Sequence, residues 1–419
     1  MSETIIEQAV GNEQRKGAQN FPLVNLFFIF LKIGSLAFGG YMALISVIEN
    51  TLVKNLKLIS HQDMLDGISL ANLLPGPMAV NVVAFTGYKI RGRMGALVAT
   101  TAVVLPSFLL ILGLSYIYFN YDEVIDFKPI FQGFMPAVAA IVFSVAWRLG
   151  KKTLTGIPEV IIAVIATLVL AFIPLTYKIY TPITLIFISG FIGYFLFNKT
   201  KNTTINQNKV TFSKQQLITL LLVIVSFVFL WLFPLPLDKN SILYLSLTFA
   251  TMSLMLFGGG YVFIPVIGSI VVLENNWLTS QQFTDGIALG QVTPGPILIS
   301  ATFIGYKVAG FWGALSSTIV IFGVPAMLMV YVSRWFDFIR QSTATQSVMH
   351  GIHCAVIGMI SIAAFIIFKS SFETMAVSEL YLNWPVFSIF LISLVGLIKF
   401  NLDIIWIIPP AGFIGYLFL

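Results

Sequence analysis

The 419-residue sequence has few charged residues and almost no cysteine. Only 10% of its residues are charged, against roughly a quarter in soluble domains, and 58% are hydrophobic. The single cysteine, Cys354, excludes an intrachain disulfide and a cysteine-cluster metal site. No nucleophile elbow, Walker loop or dinucleotide fingerprint is present, so the sequence gives no support for an enzyme. These absences predict an all-α polytopic membrane protein without a cofactor.

The basic residues indicate topology rather than a nucleic-acid partner. The net charge is +6, but the 23 Lys and Arg residues lie mainly in short loops between apolar runs. A span of about 20 apolar residues predicts about thirteen membrane segments. The positive-inside rule then places the N-terminus in the cytoplasm and the C-terminus outside. The tail at 1–20 lacks a cleavable signal pattern, so we expect the first apolar segment to be retained.

The sequence contains the same series of motifs twice, in the same order. The first copy contains Phe38-Gly39-Gly40-Tyr41, Asp66, Asn72, Pro75-Gly76-Pro77 and, a few residues further on, Asn81. The second contains Phe257-Gly258-Gly259-Gly260-Tyr261, Asp285, Gln291 and Pro294-Gly295-Pro296. The recurrence of a whole ordered series indicates a tandem duplication.

The duplication divides the chain into two repeats of about six helical segments each. We expect a cytoplasmic tail at 1–20, a first repeat at 21–197, a polar linker with a linking helix at 198–240, and a second repeat at 241–419. The first repeat then begins inside and the second outside, which predicts inverted-topology repeats of the kind found in secondary transporters.

Four of the predicted segments carry the glycine and proline motifs. Those at 22–48 and 241–270 have central glycines, and those at 64–88 and 283–306 have Pro-Gly-Pro. Each is either a broken helix that crosses the membrane or a re-entrant hairpin. The charge distribution requires both segments of a repeat to behave alike.

A helix break inside a membrane has chemical consequences. Proline ends one helix and allows another to begin, and the freed backbone groups are tolerated only where protein or a polar cavity satisfies them. New helix N-termini expose amides and a partial positive charge, which suit an anion. Glycine lets bare backbone approach a ligand closely. The motifs therefore predict an anion site near the membrane midplane.

Several other polar residues allow two interpretations. Lys32 lies in the first apolar segment, where it either contributes a buried cation to the site or snorkels to the interface. Asp66 and Asp285 are either helix-end caps or proton-coupling residues. His350 and His353 have i, i+3 spacing but no accompanying cysteine or carboxylate motif, so we expect no metal there.

The paired motifs resemble the chromate ion transporter family in its long, two-domain form, over nearly the whole chain. The resemblance implies proton-motive-force-dependent chromate efflux across the bacterial cytoplasmic membrane, with sulfate as a related or competing oxyanion. It carries the family's motif residues onto Phe38, Gly39, Gly40, Pro75, Gly76 and Pro77 and onto Phe257, Gly258, Gly259, Pro294, Gly295 and Pro296.

The expected substrate-binding set also includes Lys32, Tyr41, Asn72, Asn81, Gly260, Tyr261 and Gln291, with Asp66 and Asp285 as coupling candidates. The expected partners are chromate or sulfate, protons and the lipid bilayer. An oxyanion channel or a sulfate transporter on the same scaffold is the alternative, and a homodimer stays open.

Overall fold

The structure, a computed structural model, describes residues 21–37, 41–121, 128–173, 181–197, 238–256, 267–333, 343–373 and 384–418. All regular structure in these residues is helical, as the composition predicts. The helices of the first repeat are α1 (Leu23–Leu36), α2 (Tyr41–Ile48), α3 (His61–Leu73), α4 (Met78–Asn120), α5 (Lys128–Thr153), α6 (Ile157–Phe172) and α7 (Thr181–Phe197). Those of the second are α8 (Ile242–Ser253), α9 (Ser280–Val292), α10 (Ser300–Val332), α11 (Thr343–Glu373), α12 (Trp384–Ile398) and α13 (Ile408–Phe418).

Short helical pieces complete both repeats. A π-helix at Glu49–Asn55 continues α2, and another at Ser269–Glu274 precedes α9. One 3₁₀ turn, Ile297–Ile299, leads into α10, and a second, Ile404–Trp406, leads into α13. The linking segment predicted within 198–240 falls almost entirely outside the described residues.

The helix α4 is folded back on itself. Its backbone leaves the helical region at Arg91 and Gly92, which separates a first limb (78–90) from a second limb (93–120). Gly87 and Gly95 face each other across this bend, since a Cβ added to Gly87 would lie 2.5 Å from the carbonyl oxygen of Gly95. The limbs are therefore antiparallel neighbours.

The second repeat contains the same bend in α10, at Ala309 and Gly310. Thr302 and Thr318 lie on opposite sides of it, and their hydroxyl oxygens are 2.7 Å apart. The limbs of α10 are 300–308 and 311–332.

The helix α3 and the first limb of α4 form a helical hairpin with Pro-Gly-Pro at its tip. At the open end, the ammonium of Lys89 pairs with the carboxylate of Asp63 at 2.9 Å. Halfway along, Gly67 lies against the ring of Phe85. In the second repeat, Gly286 lies against Phe303 in the same way. The re-entrant alternative for these segments therefore agrees with the structure.

Each hairpin is too short to cross a membrane. The helices α3 and α9 have 13 residues each, which is about 20 Å at 1.5 Å per residue. A bilayer core is about 30 Å thick. Both begin with a side-chain capping box, formed by Ser60 with Asp63 and by Thr279 with Gln282, so their open ends are well-defined helix starts.

Residues on either side of the segment that carries the Phe257 motif are in contact. Lys239, just before α8, donates from its ammonium to the carbonyl oxygen of Glu274 at 3.0 Å. The indole of Trp277 donates to the carbonyl oxygen of Lys239 at 3.1 Å. The residues just before α8 and those just before α9 are therefore neighbours; the glycine motif itself lies outside the described residues.

The remaining helices pack against the opposite repeat. Helix α5 lies against α12 and α13, and α11 lies against α6 and α7. Small residues allow close approach: Gly193 of α7 faces Gly351 of α11, and Gly133 of α5 faces Gly415 of α13. This exchange makes the two repeats one packed unit.

Among the described residues, four helices are long and apolar enough to cross a membrane, within α4, α5, α10 and α11. Six shorter apolar helices of 10–17 residues accompany them in the described part of the chain. The chain is therefore a multi-pass membrane protein. The two Pro-Gly-Pro segments differ from simple crossings because proline and glycine separate their helices.

Candidate functional site

Two hydrogen bonds join the tips of the hairpins across the repeats. The amide of Gly76 donates to the carbonyl oxygen of Leu256 at 2.6 Å, and the amide of Gly295 donates to that of Ala37 at 2.8 Å. Both acceptors are fully buried. Leu256 directly precedes the Phe257 motif and Ala37 directly precedes the Phe38 motif, so each Pro-Gly-Pro contacts the residue just before the glycine motif of the other repeat.

The central glycine of each Pro-Gly-Pro has a positive φ, a backbone conformation that other residues rarely adopt. Gly76 has φ of 107° and Gly295 has φ of 109°. A Cβ at Gly76 would collide with the ring of Pro325, and one at Gly295 would collide with the hydroxyl of Ser107. From the sequence, these glycines are expected to let the backbone approach a ligand closely. In the structure, Gly76 and Gly295 instead allow a close approach to the opposite repeat.

We call the region where each Pro-Gly-Pro tip contacts the opposite repeat the crossing. It lies at the middle of the longest helices. Ser107 is central in the second limb of α4 (93–120), and Pro325 lies near the centre of the second limb of α10 (311–332). Both tips therefore lie beside the central parts of these limbs.

Helix starts add positive potential at the crossing. The first hydrogen bond of α4 runs from the amide of Asn81 to the carbonyl oxygen of Pro77, at 2.9 Å. The amides of Met78, Ala79 and Val80 therefore have no acceptor within their own helix. Pro77 provides no side-chain cap to that helix. A buried helix start of this kind favours an anion.

Three buried side chains near the tips have polar atoms without a partner among the described residues. These atoms are Oδ1 of Asn81, Oγ of Ser107 and Nε2 of Gln291. The other end of the Asn81 carboxamide donates to the carbonyl oxygen of Pro75 at 3.1 Å. Buried polar atoms usually have partners, so these three indicate a site that accepts a polar species. Ser107 is absent from the sequence-based set because it lies outside the repeated motifs.

The predicted binding residues of the tips divide into two groups. Asn72, Pro75, Gly76, Pro77 and Asn81 lie together on the first hairpin, and Gln291, Pro294, Gly295 and Pro296 lie together on the second. Asn72 donates from its carboxamide to the carbonyl oxygen of Ile68 at 2.8 Å. The predicted residues Phe38, Gly39, Gly40, Phe257, Gly258, Gly259, Gly260 and Tyr261 lie outside the described residues. Tyr41 begins α2.

The interpretation of Asp66 and Asp285 as helix-end caps is wrong. Ser60 and Thr279 are the N-caps, and both aspartates lie more than a turn inside their helices. The carboxylate of Asp285 is buried and accepts hydrogen bonds from the hydroxyl of Tyr118 at 2.6 Å and from the side-chain carboxamide of Gln281 at 2.9 Å. Asp66 is only half-buried and accepts one from Gln62 at 2.8 Å.

Lys32 is exposed on α1, whose buried face consists of Leu26, Phe30, Ile33 and Gly34. This exposure favours the snorkelling interpretation, since the side chain leaves the packed face of the helix. The sequence could not predict this exposure, because a position within an apolar run does not specify which face of the helix carries a residue.

The two histidines have separate environments. The imidazole of His350 lies 3.3 Å from the carboxylate of Glu159, and His353 faces the backbone of Asn72. Among the described residues, no group of three or more His, Cys, Asp or Glu side chains could hold a metal ion.

The open ends of the two Pro-Gly-Pro hairpins lie at opposite ends of one helix. The second limb of α4 starts beside the first hairpin's open end, at Arg91 and Gly92. It ends beside the open end of the second hairpin. There the ammonium of Lys307 lies 4.9 Å from the ring centre of Phe119, and the carboxamide of Asn120 donates to the hydroxyl of Tyr306 at 3.3 Å. This limb is about 42 Å long.

Half-spanning hairpins that meet at buried helix starts, within a multi-pass helical protein, are features of a membrane transport protein rather than an enzyme. The sequence matches the family model described as chromate transporter over residues 24–194 and 243–416. The chain belongs to the chromate transporter family.

Similar proteins occur in archaea and bacteria. An uncharacterized transporter of Methanocaldococcus jannaschii is 30% identical, over 90% of this chain and 94% of its own. A probable chromate transport protein of Synechococcus elongatus is 30% identical over 90% of both chains, and a chromate transport protein of Cupriavidus metallidurans is 28% identical over 84% of both. No solved structure matches the chain.

Proposed function

We propose that this protein exports chromate across the cytoplasmic membrane, driven by the proton motive force, and that the oxyanion binds where the hairpin tips cross. The observation that carries the proposal is the reciprocal pair of hydrogen bonds from Gly76 and Gly295. These bonds hold each Pro-Gly-Pro, which directly precedes a helix start, against the residue that precedes the glycine motif of the other repeat. The relatives named chromate transport proteins support chromate as the substrate.

The proposed site has the donors that a tetrahedral dianion needs. Burying such an ion costs several kcal/mol in lost hydration. Hydrogen bonds to a charged partner contribute about 1.5 to 3 kcal/mol each, so a few amides, assisted by Ser107 and Gln291, are enough to offset that cost. Chromate and sulfate share charge and shape, so we expect sulfate to compete at the same site.

We further propose that the repeats have inverted topology, related by an axis in the membrane plane. The contacts of Phe119 and Asn120 with the second hairpin support this arrangement, since the first hairpin opens at the other end of the same limb. The distribution of basic residues supports a cytoplasmic position for the open end near Lys89 and an outside position for the open end near Lys307.

Asp285 is the stronger candidate for proton coupling. Its carboxylate is 3% exposed, whereas that of Asp66 is accessible. A buried carboxylate in a membrane protein typically marks a proton or ion pathway. The hydroxyl of Tyr118 would stabilise its charged form.

Purified protein in proteoliposomes provides the test. Chromate flux is measured with and without an imposed pH gradient, with sulfate as competitor. We expect chromate to accumulate against its own gradient only when the pH gradient is present. Strictly downhill flux would instead favour a channel, and no flux above that of protein-free liposomes would contradict the proposal.

A further inference from the structure

A cavity of about 450 Å³ connects one surface of the protein to the tip of the first hairpin. Met78, the first residue of α4, lies at its inner end and is buried. Arg148 and Lys152, both exposed, lie at its outer end. We call this cavity the basic funnel. Counting roughly 30 Å³ for each water molecule, it has room for an oxyanion with part of its hydration shell.

The depth of the basic funnel matches half a membrane. Its lining follows one face of α5 through Ile141, Ser144, Arg148 and Lys152. From Ile141 to Lys152 the helix rises about 16 Å, and half of a bilayer core is about 15 Å. The funnel is therefore long enough to lead from one membrane face to the tip of the first hairpin.

The chemistry of the basic funnel suits an anion. The guanidinium of Arg148 donates one hydrogen bond to the carbonyl oxygen of Leu397, and its other donors can serve the cavity. Halfway in, His353 and Asn72 supply polar contacts. Asp403 is the acidic residue in the lining, and it lies exposed.

The second repeat does not reproduce the basic pair. Here the two repeats align with an offset of 218 residues, which matches Gln132 with His350. With the same offset, Arg148 corresponds to Ile366 and Lys152 corresponds to Ser370. An oxyanion site formed equally by both repeats accounts for the symmetric contacts of the hairpin tips. It does not account for a pair of basic residues that occurs in the first repeat alone. This asymmetry indicates a function that belongs to one face of the membrane.

We propose that the basic funnel is the cytoplasmic intake path for the oxyanion, with Lys152 and Arg148 capturing it at the mouth and His353 and Asn72 guiding it to the Pro-Gly-Pro tip. This inference rests on the proposed function. The clustered positive charge raises the local concentration of the anion and hence its rate of entry. This charge does not alter the contacts of an oxyanion that is already bound at the hairpin tips.

The test uses inside-out membrane vesicles, in which the cytoplasmic face is accessible. Chromate uptake is measured over a range of concentrations for wild type, Lys152→Gln and Lys151→Gln. Lys151 is the matched control, because its ammonium lies 5.1 Å from the ring centre of Trp147 and it does not line the funnel. We expect Lys152→Gln to raise KM about three- to tenfold at low salt, with little change in maximal rate. Lys151→Gln should leave KM unchanged.

A chemical variant guards against a folding defect. In a Cys354→Ala background, Lys152→Cys is modified with a cationic or an anionic thiol reagent. The cationic adduct should restore a low KM and the anionic adduct should raise it further. Equal KM values for the two glutamine variants, or equal effects of both reagents, would overturn the intake path. Absence of uptake by wild type would instead contradict the proposed function.

Discussion

The amide nitrogen of Gly76 lies 2.6 Å from the carbonyl oxygen of Leu256, a residue of the other repeat. Gly295 and Ala37 form the matching contact at 2.8 Å. Each repeat therefore supplies one donor and one acceptor, as expected where two similar units pack around a two-fold axis. Movement of one hairpin tip must then disturb both repeats, which provides a physical basis for coupling the two halves during transport.

Crowding at Gly295 gives a test by rescue. We expect Gly295→Ala to lower chromate flux at least tenfold, because the new Cβ would collide with the Ser107 hydroxyl. Strain from the positive φ adds about 1–3 kcal/mol. Adding Ser107→Ala removes the hydroxyl and should restore part of the flux. Ser107→Ala alone measures the loss of the hydroxyl as a donor. If that variant retains flux, failure of the double variant to exceed Gly295→Ala would show that the collision is not the cause.

Two other glycines serve as controls for that experiment. Gly113→Ala is expected to behave as wild type, since nothing lies within 4 Å of its added Cβ. Gly193→Val should reduce the amount of folded protein, because its first carbon would lie 2.6 Å from the carbonyl oxygen of Ser347. Flux per molecule of inserted protein separates these effects from loss of the site.

Inverted topology predicts opposite labelling of the two hairpin openings. In a Cys354→Ala background, single cysteines replace Lys89 or Lys307, and a membrane-impermeant thiol reagent is added to intact cells. We expect labelling at position 307 only, and labelling at position 89 only after the membrane is opened. Labelling of both positions from the same side would contradict inverted repeats.

Removal of the buried carboxylate should separate transport from its energy source. We expect Asp285→Asn to abolish accumulation driven by a pH gradient while leaving downhill chromate flux within about threefold of wild type, since the asparagine can still accept from Tyr118. Asp66→Asn should have the smaller effect. Gradient-driven accumulation by Asp285→Asn at the wild-type level would remove this residue from the coupling mechanism.

The exposed position of Lys32 leads to the opposite expectation from its sequence context. We expect Lys32→Met to transport chromate at the wild-type rate, like the exposed control Lys54→Met, when both are normalised to inserted protein. Impaired transport by Lys32→Met alone would restore a direct role for its charge.

The sequence predicted the helical class and the motifs at the crossing, because proline, glycine and apolar length act locally. It left open whether the motif segments cross or turn back. That choice depends on contacts distant in sequence, such as Lys89 with Asp63 and Gly67 with Phe85.

Two features of the site could not be predicted from local patterns. Ser107 lies outside the repeated motifs, and only the folded chain brings its hydroxyl to Gly295. Asp66 and Asp285 occupy equivalent positions in the repeats, yet only Asp285 is buried. Duplication conserves register, whereas burial depends on neighbours such as Tyr118 that the two repeats do not share.

Locating a bound oxyanion tests the central claim most directly. Crystals grown with selenate, a tetrahedral analogue of chromate, would show the ion by anomalous scattering of selenium. We expect a peak at the crossing, about 3 Å from donors among the amides of Met78–Val80, the helix start at Ile297–Ile299 and the side chain of Ser107. Selenate bound elsewhere in the protein, with no peak at the crossing, would contradict the account.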